Sequence, residues 1–168
     1  MPLSMYDASV PVFTRMLGNL SSILAKGAES AEARGIDPLV LTSARLAPDM
    51  FPLSRQVQIA CDSAKGAAAR LTGAEVPSHP DVETNFPQLQ ARIDVTLAYL
   101  NTISADQFQG AESRSITLKA QGAEIVLPGT VFLLNFAFPN FYFHISTAYD
   151  ILRHNGVNLG KRDLLGAT

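Results

Sequence analysis

The chain has 168 residues, the usual length of one domain, and 47% of them are hydrophobic whereas 17% are charged. This composition excludes an intrinsically disordered chain, and a formal net charge of −2 without any run of Lys or Arg argues against a surface for nucleic acid or anionic lipid. We therefore expect a single domain over residues 1–168 with one hydrophobic core.

Cysteine content and hydropathy predict the compartment. The only cysteine, Cys61, has no partner for an internal disulfide, and the first residues lack the basic start and unbroken apolar stretch of a secretory signal. The most apolar segment, 131–145, is interrupted by Asn135, Pro139 and Asn140 and is shorter than the roughly 20 apolar residues of a spanning helix. We expect a cytoplasmic protein that does not span a membrane.

Apolar residues at three- and four-residue steps predict a first long helix that begins at Asp7 or Ser9 and ends at Arg34. Pro11 must then lie in its first turn or kink it. Asp37 followed by Pro38 has the pattern of a helix cap and a first helical proline, and predicts a short helix.

A second long helix is predicted from about residues 52–54 to Gly73. Its inner face is narrow, because it consists mainly of small residues: Val57, Ala60, Cys61, Ala64, Ala67, Ala68 and Leu71. Such a face lets a neighbouring helix approach closely, or leaves space for another molecule. A turn-rich connection over 73–84 then divides the chain into two halves.

The third long helix starts after a cap at Thr84 or Asn85 and carries an apolar stripe, Phe86, Leu89, Ile93, Leu97, Leu100 and Ile103. Alternation of side chains over 115–127, around Gln121 and Gly122, predicts a small β-hairpin. A hairpin this short must pack against the helices to be stable.

A fourth long helix is predicted from Pro128 to about Asn155, with a kink at Pro139. Its inner stripe is Leu133, Ala137, Asn140, His144, Ala148 and Ile151. The predicted fold is therefore all-α, a four-helix bundle with a hairpin before the last helix.

Asn140 and His144 are the strongest candidate site, because they lie four residues apart on an otherwise apolar helical face. Burying each without a partner would cost about 1–3 kcal/mol, so both require polar partners, water or a ligand. Asp62 and Gln58 on the second long helix and Tyr149 on the fourth could join them. The alternative is a core histidine satisfied by a carbonyl or by Asn140.

The other titratable candidates favour structural roles. His79 lies in the polar connection, and His154 lies in the last turn of a helix, where a cation is favoured. Cys61 has no histidine near it in sequence to activate it. The sequence also lacks a phosphate-binding glycine loop, a serine nucleophile elbow, an HExxH motif and paired zinc-binding cysteines.

The segment HISTAYDILRHNG, from His144 to Gly156, resembles the fourth-helix signature of the DinB/YfiT-like superfamily, in which Leu152, Arg153 and Gly156 fit the spacing from the histidine. Over nearly the whole chain, SMYDASVPVFTRMLGNL, RLAPDMFPLSRQVQIACDSAKGAAARL and PNFYFHISTAYDILRHNGVNLGKRDLLG resemble an uncharacterised family of that superfamily. The resemblance implies an up-down-down-up bundle, commonly dimeric, with 73–84 as the crossover between halves.

Characterised enzymes of that superfamily hold a divalent metal with three histidines, and many use low-molecular-weight thiols. By position His144 matches the second ligand of the last helix, Asn140 replaces the first, and Cys61 or Asp62 falls near the remaining one. Asn is a poor ligand for zinc or nickel. We expect no metal cofactor; a zinc or nickel ion, if bound, would use His144 with Cys61 or Asp62.

Three hypotheses follow. The first is a bundle that binds a small molecule between the second and fourth long helices at Asn140 and His144. The second is a divergent metal-dependent thiol transferase or hydrolase, and the third is a structural or interaction protein without a catalytic site. Aromatic residues all around the fourth helix also predict a homodimer, because one core face cannot bury them all: Phe132, Phe136, Phe138, Phe141, Tyr142 and Phe143.

Overall fold

The computed structural model describes residues 3–120 and 122–166. In chain order, the elements are α1 (Met5–Ala33), the short α2 (Pro38–Thr42), α3 (Leu53–Thr72), α4 (Phe86–Asn101), a 3₁₀ turn (Ala105–Phe108), strands β1 (Ser115–Ala120) and β2 (Ala123–Pro128), α5 (Gly129–Phe132), a π-helical turn (Leu133–Ala137), α6 (Phe138–His154) and α7 (Lys161–Leu165). Residues 129–154 form one continuous helical segment, hereafter the last long helix. The fold is the predicted all-α four-helix bundle with a hairpin before that helix.

Contacts between the long helices establish their directions. On α1, Phe13 packs against Phe141 and the backbone at Gly27 lies against Leu152, so α1 and α6 run parallel. Gly27 also lies against Phe86, whereas Ser21, earlier in α1, bonds Gln90, later in α4, so α1 and α4 are antiparallel.

The direction of α3 follows from its bonds to α6. Gln56 bonds His144 and Ser63 bonds Asn140, so these two helices are antiparallel. The order of directions is up, down, down, up, and the connection after Gly73 crosses the bundle between its two parallel middle helices.

The ends of the helices follow local capping chemistry. Ser4 Oγ accepts a hydrogen bond from the Asp7 amide at 3.0 Å, which starts α1 earlier than the apolar periodicity predicts. Pro11 therefore lies in the second turn, not the first. Asn85, rather than Thr84, caps α4. Gly73 has φ 77°, a left-handed conformation that ends α3 as predicted.

A π-helical turn, which the sequence did not predict, precedes Pro139, where a kink was predicted. The Phe138 amide bonds the Leu133 carbonyl five residues back, instead of the usual four. Pro139 has no amide hydrogen and its ring crowds the carbonyl of Asn135. The wider turn accommodates both constraints and lets the helix continue to His154.

The hairpin pairs antiparallel from Ser115 with Pro128 to Ala120 with Ala123, close to the predicted 115–127. Gln121 of the predicted turn lies outside the described residues. Ile116 and Leu118 of β1 are buried, so this strand covers the bundle as its short length requires. None of the helices in the described residues is long and apolar enough to cross a lipid bilayer.

Candidate functional site

His144 is buried on α6 at the contact with α3. Its Nδ1 lies 2.6 Å from Gln56 Oε1, and Gln56 Nε2 donates to the carbonyl of Phe51 at 3.0 Å. Because the amide nitrogen of Gln56 is the donor to Phe51, its oxygen is the acceptor and His144 Nδ1 carries the proton. Burial, together with the positive charge of Arg55, lowers the pKa of His144 to about 4. His144 is therefore neutral at pH 7, and its partner is the side-chain carbonyl oxygen of Gln56 rather than Asn140.

Asn140 is half-buried, one turn before His144. Its Nδ2 donates to Ser63 Oγ at 2.7 Å. The two polar residues of the inner stripe thus bond different side chains of α3. Of these two residues, only Asn140 lines the cavity described next.

This cavity, of about 500 Å³, lies between α3, β1 and the last long helix. One wall of the cavity is polar and another is apolar. The polar wall includes Asp62, Ser63, Arg70, Lys119 and Asn140, and the apolar wall includes Leu118, Phe132, Phe136 and Ala137. The hairpin predicted from the sequence thus forms one side of the candidate site.

The remaining candidate site residues from the sequence do not all lie at this cavity. Asp62 lines the cavity with Asn140, but its carboxylate bonds Lys65 and Arg92, each at 2.8 Å. Gln58 donates to Glu83 at 2.9 Å and does not line the cavity. Tyr149 is half-buried against the core, also away from it. The structure therefore brings Asp62 to Asn140 but brings neither Gln58 nor Tyr149 there.

The sequence analysis missed a charged network around Arg92. The Arg92 side chain is 2% exposed and bonds Asp62, Asp81, Glu83 and the carbonyl of Pro80 at 2.8–3.2 Å. Its Nε is the one buried side-chain polar atom without a hydrogen-bond partner in the part of the chain that the structure describes. The guanidinium fixes the crossover against α3 and α4.

A signal for Arg92 was present in the sequence. Arg92 follows Leu89 by three residues and precedes Thr96 by four, so it lies on the apolar stripe of α4. A cation at such a position requires anionic partners. Asp81 and Glu83 in the connection just before α4 are those partners.

A second buried cation, Lys65, lies beside this network. Its Nζ bonds Asp62 and donates to His79 Nδ1 at 3.1 Å. Since Lys65 can only donate, the proton of neutral His79 is on Nε2. Partial burial, followed by the charges of Lys65 and Arg92, lowers the pKa of His79. His79 thus has the structural contact expected of it, and it also lines a second cavity of about 330 Å³.

Comparison with known proteins places this architecture in a family. The family model described as Domain of unknown function (DUF1993) matches residues 5–165. The chain belongs to this family. A crystal structure of a DinB family member protein from Shewanella denitrificans is 47% identical, covers 98% of this chain and 93% of that chain, and has a TM-score of 0.92. No curated protein matches. The DinB-like resemblance of this DUF1993 protein is therefore confirmed.

The three-histidine metal site that the superfamily implies does not fit the residues of this DUF1993 protein. Asn140 stands in place of one histidine and directs its amide nitrogen, which cannot coordinate a metal, at Ser63, so His144, through its Nε2, is the one imidazole at these positions. Burial raises the pKa of the Cys61 thiol to about 12, which disfavours the thiolate. Among residues 3–120 and 122–166 no group of three or more His, Cys, Asp or Glu side chains is arranged to hold a metal ion.

Proposed function

We propose that this DUF1993 protein binds a small molecule in the cavity between α3, β1 and the last long helix. The cavity itself carries the proposal: about 500 Å³ of space with polar groups on one wall and aromatic rings on another. Ligand sites are typically of this size, mostly apolar, with a few polar groups that orient the ligand. The proposed site keeps Asn140 from the sequence prediction and replaces His144 by Asp62 as its neighbour.

Asn140 has an unused hydrogen-bond acceptor to which a ligand can bind. Its Nδ2 donates to Ser63, and its Oδ1 accepts no hydrogen bond from the described residues. A hydroxyl or amide of a ligand could donate to that oxygen, while an apolar body packs against Phe132 and Phe136. His144 does not line the cavity, so we assign it to the α3–α6 contact.

The test uses a neutral probe, 3-phenylpropan-1-ol, which has one aromatic ring and one hydroxyl. We expect saturable binding with NMR shift changes at the methyls of Leu118 and Ala137, and a dissociation constant about three- to tenfold higher in Asn140→Leu, because one hydrogen bond is lost. Asn135→Leu, an exposed position on the same helix, is the matched control and should bind like the wild type. Absence of saturable binding, or equal binding by both variants, would disprove the proposal.

We also propose a homodimer in which the last long helices of two copies pack together. Phe143 and Leu134 are each 54% exposed, and Val131 and Tyr142 are exposed as well. Water contact with so many large apolar side chains on one helix is unfavourable, and such surfaces commonly mark interfaces. Two copies of this helix would cover them.

Light scattering at micromolar concentration tests the dimer. We expect the mass of a dimer for the wild type and a shift to monomer in Leu134→Ser/Phe143→Ser, because both side chains would leave the interface. Leu39→Ser/Val40→Ser removes two equally exposed side chains from α2 and serves as control. A monomeric wild type, or a dimer that persists in the Leu134 and Phe143 variant, would show that the interface lies elsewhere or does not form.

A further inference from the structure

Arg70 lies between two cavities. It lines both the 500 Å³ cavity of the proposed site and the second cavity of about 330 Å³, and Asp62 is the other residue they share. The second cavity is also lined by Lys65 and His79. A group bound at Arg70 is therefore accessible from both spaces.

The missing side chain of Gly66 leaves room for the guanidinium of Arg70. A Cβ atom built on Gly66 would be 2.5 Å from Arg70 Nη1 and 3.8 Å from its Cζ. Gly66 lies in the interior of α3, where glycine destabilises a helix. The close packing that its missing side chain permits must offset this loss of stability. Here the closer packing is that of Arg70, one helical turn later, folded back over Gly66.

Arg70 is a cation of this region without an anionic partner. The carboxylates of Asp62, Asp81 and Glu83 are already paired with other cations, namely Arg55, Lys65 and Arg92. Arg70, in contrast, makes no ion pair or hydrogen bond through its side chain with the residues that the structure describes. Lys119, an exposed residue of β1, also lines the larger cavity.

The groups near Arg70 in the second cavity are donors. Lys65 occupies His79 Nδ1, which leaves Nε2–H of His79 as a donor. Asp62 is the exception, but two cations already satisfy its carboxylate. Hydrogen-bond donors beside the unpaired guanidinium of Arg70 are suited to bind the two oxygens of an anionic group.

We propose that the ligand of this site is a monocarboxylate, whose carboxylate binds Arg70 and whose apolar body lies against Phe132 and Phe136. This inference rests on the proposed function and names the ligand class. A guanidinium binds a carboxylate through two parallel hydrogen bonds. A phosphate monoester fits less well, because it carries about two negative charges and the carboxylate of Asp62 lines both cavities.

Three matched probes test the ligand class: 3-phenylpropionate, the neutral 3-phenylpropan-1-ol, and 3-phenylpropyl phosphate, titrated calorimetrically at pH 8. We expect the carboxylate to bind roughly tenfold more tightly than the alcohol, since a charge-assisted pair is added. The phosphate ester should bind more weakly than the carboxylate. Arg70→Met should remove the preference for carboxylate over alcohol.

Gly66→Ala tests whether the position of the Arg70 guanidinium matters as well as its charge. It retains every charged group and favours the helix, so its urea midpoint should not fall below that of the wild type. We nevertheless expect it to lose most of the carboxylate preference, because its Cβ displaces Nη1. Arg162→Met, at an exposed position on α7, should keep the full preference.

The outcomes distinguish this inference from the proposed function. Equal binding of carboxylate and alcohol would overturn the assignment of Arg70 and leave the cavity as a binding site. Tighter binding of the phosphate ester, or a full preference in Gly66→Ala, would overturn the carboxylate class or the role of Gly66. Failure of all three probes to bind would overturn the proposed function as well.

Discussion

Replacement of Arg92 by methionine is expected to lower the free energy of unfolding by about 2–4 kcal/mol. Removing one partner of a buried ion pair leaves the other charge uncompensated, which typically costs about 3–5 kcal/mol. Glu83, with 11% of its side chain exposed, loses this partner. Asp62 and Asp81 are each more than one-third exposed and keep Lys65 and Arg55, so we place the expected loss below the upper limit.

Urea unfolding of Arg92→Met, the wild type and Arg162→Met measures this effect. Arg162 is exposed on α7, and its removal should change the unfolding free energy by less than about 0.5 kcal/mol. Adding Glu83→Gln to Arg92→Met should recover part of the loss, because the buried carboxylate is then neutral. A loss below about 1 kcal/mol in Arg92→Met would mean that the network contributes little to holding the crossover.

The second large effect is a pH dependence from His144. In the folded chain its pKa is about 4, below the ordinary 6.5, because burial and then Arg55 disfavour the imidazolium. The unfolded chain therefore binds a proton that the folded chain does not, at pH values between these two. Stability from the neutral imidazole is complete above about pH 6.5 and decreases as the pH falls toward 4.

Replacing His144 by glutamine should remove this component, since the amide can still donate to Gln56 but does not titrate over this range. At one pKa unit per 1.36 kcal/mol, and with allowance for partial solvent access, the wild type should lose about 1–3 kcal/mol more than His144→Gln between pH 6.5 and 4. Carboxylates and His79 also titrate, but they are common to both chains.

His154→Gln, at an exposed histidine near the end of α6, is the control and should retain the wild-type profile. Parallel profiles for wild type and His144→Gln from pH 6.5 to 4 would contradict a buried neutral imidazole. Urea midpoints at intervals of half a pH unit provide the comparison.

Local patterns predicted most of the fold. The left-handed glycine after α3, the cap at Asn85 and the alternation of β1 and β2 are each recorded in a few adjacent residues. The start of α1 was placed late because Tyr6 and Asp7 do not continue the apolar stripe, whereas the decisive contact is the Ser4 cap. The π-helical turn was not predicted, because a search for apolar residues at the regular α-helical period of 3.6 does not detect one inserted residue.

The candidate site was harder to predict because it depends on the relative registers of helices. Gln56, the partner of His144, is 88 residues away in sequence. On α3, Gln56 and Ser63 contact α6, whereas Gln58 and Asp62 contact the crossover and α4. A half-turn of rotation about α3 would exchange these partners, and neither spacing nor composition fixes that rotation.

The π-helical turn has a consequence for chain length. It adds one residue between the hairpin and Asn140, and each residue of an α-helix rotates the next by about 100°. Deleting any one residue of Leu133–Ala137 would restore regular pairing but turn Asn140 and His144 away from α3, or carry the hairpin away from the cavity. The count of residues from Pro128 to Asn140 therefore sets the rotation of Asn140 and His144 about the helix axis relative to the hairpin.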